Sequence, residues 1–170
     1  MRRYFFLLIA FLCALSSTAQ LNDGRYASRK TQDGTIFFLN PQKLKKTSGI
    51  KKFEYDVTLL TWTDSVTVNF TFESDLMTVP EKLRIENSSK SFACNDYKPL
   101  FIDLKKNHYE IRISAKFPLC EFEEIIKSLL PPRFVFYQEG KEETAAYSEK
   151  GWKKEHKLLN NIYSLYLYSR

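Results

Sequence analysis

Residues 53–74 read FEYDVTLLTWTDSVTVNFTFES. Phe53, Tyr55, Val57 and Leu59 alternate with Glu54, Asp56 and Thr58. After a break, Val66, Val68, Phe70 and Phe72 alternate with Thr67, Asn69 and Thr71. Side chains of an extended strand point to opposite faces in turn, so a period of two marks a strand buried on one face. The link TWTDS is short and polar enough to close a hairpin between the two runs. This stretch sets the expected class: antiparallel sheet with one apolar face.

The same pattern extends in both directions. Upstream, TIFFLN is a short strand. Residues 20–34 are polar, with turn signals at Asn22-Asp23-Gly24 and Asp33-Gly34, and PQKLKKTSGIKK is read as a loop. Downstream, KLRIEN and SFACN form a weaker hairpin around Asn87-Ser88-Ser89. PLFIDL and HYEIRISAKF form a clearer one across KKN, with Tyr109, Ile111, Ile113 and Ala115 on one face and Glu110, Arg112, Ser114 and Lys116 on the other. RFVFYQ and ETAAYS pair around Glu139-Gly140.

Two stretches follow a different period. In PLCEFEEIIKSLLPP, Phe122, Ile125, Ile126 and Leu129 recur at i, i+3, i+4 and i+7, one stripe of a helix that Pro131-Pro132 stops. Its glutamates fall in the first turns, where the helix dipole favours them. Ser148 is placed to cap a final helix from Glu149 to about Tyr168, with Leu159, Ile162, Tyr163 and Tyr166 as its apolar stripe. The segment IYSLYLYS also alternates at period two; helix is preferred over strand. The expected fold is therefore β-rich α+β: an antiparallel meander or sandwich of seven to nine strands, with one mid-chain helix and one C-terminal helix. Nothing alternates as βαβ, which argues against a dinucleotide-binding fold.

The chain has 170 residues. Arg2 and Arg3 precede an uncharged apolar run from Tyr4 to Leu15, followed by small residues at Ser17-Thr18-Ala19. The run is shorter than the roughly 20 residues that span a bilayer. It has the layout of an export signal cleaved between Ala19 and Gln20, so residues 1–19 leave and residues 20–170 form one exported domain, periplasmic or secreted. Cys13 would be a lipidation site if small residues preceded it, but Leu12 is bulky, and Cys13 is expected to leave with the signal. The signal holds two of the 26 basic residues and none of the 20 acidic ones, so the net charge falls from +6 to +4 on cleavage. That mild excess is far from a nucleic-acid-binding signature, and no nucleic-acid partner is expected. Five glycines and six prolines argue against disorder and repeats.

Cys94 and Cys120 remain after cleavage. An even count in an exported chain leads to the expectation of one disulfide, worth about 3–4 kcal/mol for a loop of this length. No metal or cofactor motif is present: HExxH, GxSxG, CxxC and a Gly-rich phosphate loop are all missing. His108 and His156 have no ligand-spaced neighbours and read as surface residues. Glu54, Asp56, Asp103 and Glu110 read as solvated strand carboxylates, although a fold can bring two carboxylates together for hydrolysis without a local motif.

Two features point to binding. Lys43, Lys45, Lys46, Lys51 and Lys52 fall within KLKKTSGIKK, which has no acid. Such a loop would contact an anionic envelope surface, an acidic glycan or an acidic protein, diffusely because lysine dominates. The chain is also rich in aromatics, of which Trp62 and Trp152 are candidates for exposed contacts. The expectation is a non-enzymatic exported domain that binds or scaffolds at the cell envelope. The alternatives are an exported hydrolase with carboxylates converging in the fold, or a carrier of a small apolar ligand.

Overall fold

The computed structural model describes residues 24–87 and 90–170. The expected signal segment, its cleavage point and Cys13 lie outside the described residues. The architecture is α+β with two antiparallel sheets. The first sheet has the order β1-β2-β4-β5-β9-β8, where β1 is Tyr26–Lys30, β2 Thr35–Leu44, β4 Phe53–Leu60, β5 Ser65–Ser74, β9 His108–Pro118 and β8 Asp96–Lys105. The second has the order β3-β11-β10-β6-β7, where β3 is Lys46–Ser48, β11 Lys141–Ala146, β10 Arg133–Gln138, β6 Lys82–Glu86 and β7 Ser91–Cys94. Helices α1 (Leu119–Lys127) and α2 (Glu149–Ser169) complete the fold.

All four expected hairpins form, with Val57 opposite Val68 in the central pair and Ile111 opposite Ile102 in the β8–β9 pair. The described residues hold eleven strands rather than seven to nine. The two additional strands are β1 and β3. Both are polar edge strands, YASRK and KTS, held by backbone pairing to β2 and β11 rather than by an apolar face. The expected loop PQKLKKTSGIKK is thus largely extended chain: β2 continues through Pro41 to Leu44, and a register shift between Leu39 and Gln42 accommodates the proline. A proline has no N–H for the ladder, so a bulge on a strand is where one fits.

The apolar faces of the two sheets meet in an aromatic cluster. Phe53, Tyr55, Phe70 and Phe72 of the first sheet face Phe134 and Phe136 of the second. Ring centroids are 5.2 Å apart for Phe53–Phe134 and Tyr55–Phe134, and 5.1 Å for Phe72–Phe136. The opposite end of the first sheet is covered by the helices: Phe37 meets the edge of Tyr166 at 6.3 Å, and the Leu119 N–H donates to the Asp64 carbonyl. The long first sheet is therefore covered at one end by the second sheet and at the other by α1 and α2.

Ser148 caps α2 as expected, its Oγ accepting from the Gly151 N–H at 3.1 Å, and the helix continues to Ser169. Leu159, Ile162, Tyr163 and Tyr166 are all buried on it. Helix α1 buries Leu119, Phe122, Ile125 and Ile126 but ends at Lys127, leaving Leu129 81% exposed instead of continuing the stripe. Ser128 is already extended. The chain leaves the helix before the prolines because the residue preceding a proline disfavours helical geometry.

The expected disulfide is not formed. Cys94, opposite Leu83 on β7, faces the core, and its thiol lies against the carbonyls of Asp96 (3.4 Å) and Lys116 (3.3 Å). Cys120 follows the inward Leu119 on α1 and faces solvent. Burial pushes the Cys94 thiol above its usual range, with the two carbonyl contacts opposing. No described helix is long and apolar enough to cross a membrane.

Candidate functional site

Strand β2 ends beside the start of α2, and a cleft of about 630 Å³ lies between them. Lys43 and Lys45 line one wall, Lys150 and Lys154 the other, and Arg25 also reaches it. Lys150 and Lys154 are one helical turn apart and so share a side of α2. The cleft also borders the capped N-terminus of that helix, where the positive end of the macrodipole adds to the field of the side chains. Lys43 is partly compensated by Glu54 at 3.3 Å.

The carboxyl on the cleft lining is Glu155, only 6% exposed. The Tyr55 hydroxyl donates to Glu155 Oε1 at 3.1 Å and lies 2.6 Å from the Tyr147 hydroxyl, giving a chain from Tyr147 through Tyr55 to Glu155. Tyr147 lines the cleft, whereas Tyr55 is buried beneath it. Burial raises the Glu155 pKa above the ordinary carboxylate range, while the Tyr55 hydrogen bond and the Arg25 charge oppose the rise. Burial also raises both phenols, so neither titrates near neutrality. The site is consequently a cationic opening over a floor of buried hydrogen-bonding groups. It is suited to holding an anion.

The five lysines of the basic stretch do not act as one patch. Lys43 and Lys45 line the cleft, and Lys46 opens β3. Lys51 pairs with Asp75 at 2.5 Å, and Lys52 pairs with Glu73. The acids missing from the local sequence are supplied by β5 and the residue that follows it. Trp62 stands 41% exposed after β4. Trp152 is not an exposed contact: it is 1% exposed, its ring 5.4 Å from Tyr147, and its indole N–H donates to the Ser128 carbonyl at 3.1 Å. It sits on the buried stripe of α2, where the indole bridges to the end of α1.

The other candidates are tied up structurally. Asp56 is 2% exposed and accepts from Asn69 and Arg112, not a solvated strand carboxylate as expected. Asp103 and Glu110 both lie near Lys105, at 3.6 and 3.8 Å. His108 Nε2 lies 3.3 Å from a Glu73 carboxylate oxygen, and His156 is half-buried against Trp152 at 5.5 Å. Among the described residues, no group of three or more His, Cys, Asp or Glu side chains could hold a metal ion. An apolar void inside the core, between Tyr55, Phe134, Trp152 and Leu159, measures about 20 Å³. Ligand pockets run to about 300–1,000 Å³, so that void is no carrier cavity.

Compared with known proteins, the chain matches no family model, no curated protein and no solved structure. The site therefore rests on its own chemistry. Sequence reasoning missed Arg25, Tyr147, Lys150, Lys154 and Glu155. The i, i+4 spacing of Lys150 and Lys154 was a usable signal. The approach of Arg25 and β2 to the start of α2 had none.

Proposed function

We propose that this protein is an exported, non-enzymatic binding domain that holds an acidic glycan chain in the cleft between β2 and α2. The observation that carries the reading is the convergence of Arg25, Lys43, Lys45, Lys150 and Lys154 on one concave opening. A concave site accepts a protruding chain better than a flat bilayer surface. Lysines act as hydrated point charges and suit a ligand with several spaced anions rather than a bidentate one. Export follows from the expected signal ahead of residue 20 and belongs to the same proposal.

Binding of a sulfated tetrasaccharide tests it, measured by calorimetry at low and at physiological salt. Wild type should bind more tightly at low salt, because exposed charges are screened over about 8 Å at physiological ionic strength. Replacing Lys45, Lys150 and Lys154 together with glutamine should weaken binding by roughly 30-fold, at about 0.7 kcal/mol per exposed cation, within the range for exposed charge pairs. Replacing Lys51 and Lys52 should leave it unchanged, since both are already paired outside the cleft. Equal losses from both sets would mean that the cleft is not the binding site.

A further inference from the structure

The chain Tyr147–Tyr55–Glu155 has two possible polarities, and only one of them presents a donor to the cleft. Each phenol carries one proton, and an ionised carboxylate only accepts. With Glu155 ionised, Tyr55 donates to it across 3.1 Å, and Tyr147 must then donate to Tyr55 across 2.6 Å. The Tyr147 hydrogen is then spent inside the protein, and its hydroxyl can offer a ligand only lone pairs. With Glu155 protonated, its O–H donates to Tyr55, Tyr55 donates to Tyr147, and the Tyr147 hydrogen is released for a ligand. The change takes up one proton from solvent and breaks no other bond.

We propose that an anion in the cleft is bound together with a proton on Glu155, with Tyr147 as the hydrogen-bond donor to the anion in that state. This rests on the cleft being the anion site. A second effect has the same sign. The charged groups that line the cleft with Glu155 are Arg25 ahead of β1, Lys43 on β2, Lys45 just after it, and Lys150 and Lys154 on its own helix. All are cationic, and the Arg25 charge favours the carboxylate. An anion that neutralises them removes the field holding Glu155 ionised. Burial, which already raises the Glu155 pKa, brings the group closer to protonation. By linkage, a ligand that raises the affinity for a proton is itself bound more tightly when the proton is present.

The test uses the sulfated tetrasaccharide, whose sulfates keep their charge from pH 4 to pH 8. Calorimetry in buffers of different ionisation enthalpy reads proton uptake directly. Wild type should take up as much as one proton on binding, and above the pKa of free Glu155 its affinity should fall up to tenfold per pH unit. Glu155→Gln should bind with an affinity that does not change with pH. Tyr147→Phe, which keeps the ring against Tyr55 and Trp152, should lose several-fold in affinity at low pH and flatten the slope. His156→Gln should keep the slope, separating Glu155 from the histidine next to it. Near-UV circular dichroism checks that each variant is folded; if Glu155→Gln is not, wild-type proton uptake and Tyr147→Phe decide. Binding without proton uptake and with pH-independent affinity would overturn the coupling and leave the anion site standing. Absence of binding at every pH would overturn both.

Discussion

Asp56 lies in the middle of β4 on the face of the first sheet away from the aromatic cluster, and only 2% of it is exposed. Its Oδ1 accepts from the Asn69 amide at 2.6 Å, and its Oδ2 from the Arg112 guanidinium at 2.5 Å. Arg112 also donates to Thr71 Oγ1 at 2.6 Å, so the network ties β4, β5 and β9 together. Removing one partner of a buried ion pair typically costs about 3–5 kcal/mol, because the other charge is left unpaired. The two sides of this pair are unequal. Arg112 is 26% exposed and can turn to water, whereas Asp56 cannot. Asp56→Ala should therefore cost about 2–3 kcal/mol, mainly two lost charge-assisted hydrogen bonds. Arg112→Ala should cost about 4 kcal/mol, since it strands a buried carboxylate on Asn69 alone. In the double variant no charge is stranded, and its cost should fall short of the sum by about 1–3 kcal/mol. Urea unfolding of the four proteins completes the cycle. For a domain of this size, Asp56→Ala alone should lower Tm by roughly 4–12 °C. Two results would refute the reasoning: costs that add within about 0.5 kcal/mol, or Asp56→Ala costing more than Arg112→Ala.

Three further outcomes follow from the packing. Glu143 is buried, and its Oε2 has no hydrogen-bond partner; burial and then the nearby Asp75 raise its pKa, with Lys141 opposing. The folded state thus favours the protonated form, a contribution present below the unfolded carboxylate pKa of about 4.3 and lost as pH rises through the higher folded value. Glu143→Gln should stabilise the protein by about 1 kcal/mol at pH 8 and leave it nearly unchanged at pH 4, measured by urea unfolding at both. Thiol labelling without reductant should modify Cys120 rapidly in the native protein and Cys94 only after unfolding; a mass two hydrogen atoms below the dithiol form would instead reveal a disulfide. Acrylamide should quench the fluorescence of Trp152→Phe, which keeps the exposed Trp62, far more than that of Trp62→Phe, and the reverse order would contradict the placement of Trp152 between the helices.

Much of the fold was legible locally. The alternation in residues 53–59 and 66–72 depends only on which face of a strand is buried, and it sets both the strands and their pairing. The same holds for Tyr109–Ala115 and for the period of Leu159–Tyr166, where a capping serine at 148 favoured helix over the competing alternation. Strands β1 and β3 were not legible, because edge strands of this kind are held by hydrogen bonds to a neighbour and carry no pattern of their own. Leu129 followed the helical spacing but lay beyond the residue at which the chain turned extended.

The site was decided almost wholly in three dimensions. Electrostatics depends on distance in space, so five lysines in ten residues overstated one patch, and acids at positions 54, 73 and 75 dispersed it. Pairing of thiols likewise requires facing geometry rather than an even count, and the fold buried Cys94 while exposing Cys120. The sequence by itself determined the inward-facing apolar side chains of the strongly periodic stretches, 53–59, 66–72, 109–115 and 159–166, because those follow from local period. Only the tertiary structure brought Arg25, Lys45, Lys154 and the Tyr147–Tyr55–Glu155 chain to one cleft, because they lie on separate elements whose approach is decided by how two sheets and two helices pack around a shared aromatic core.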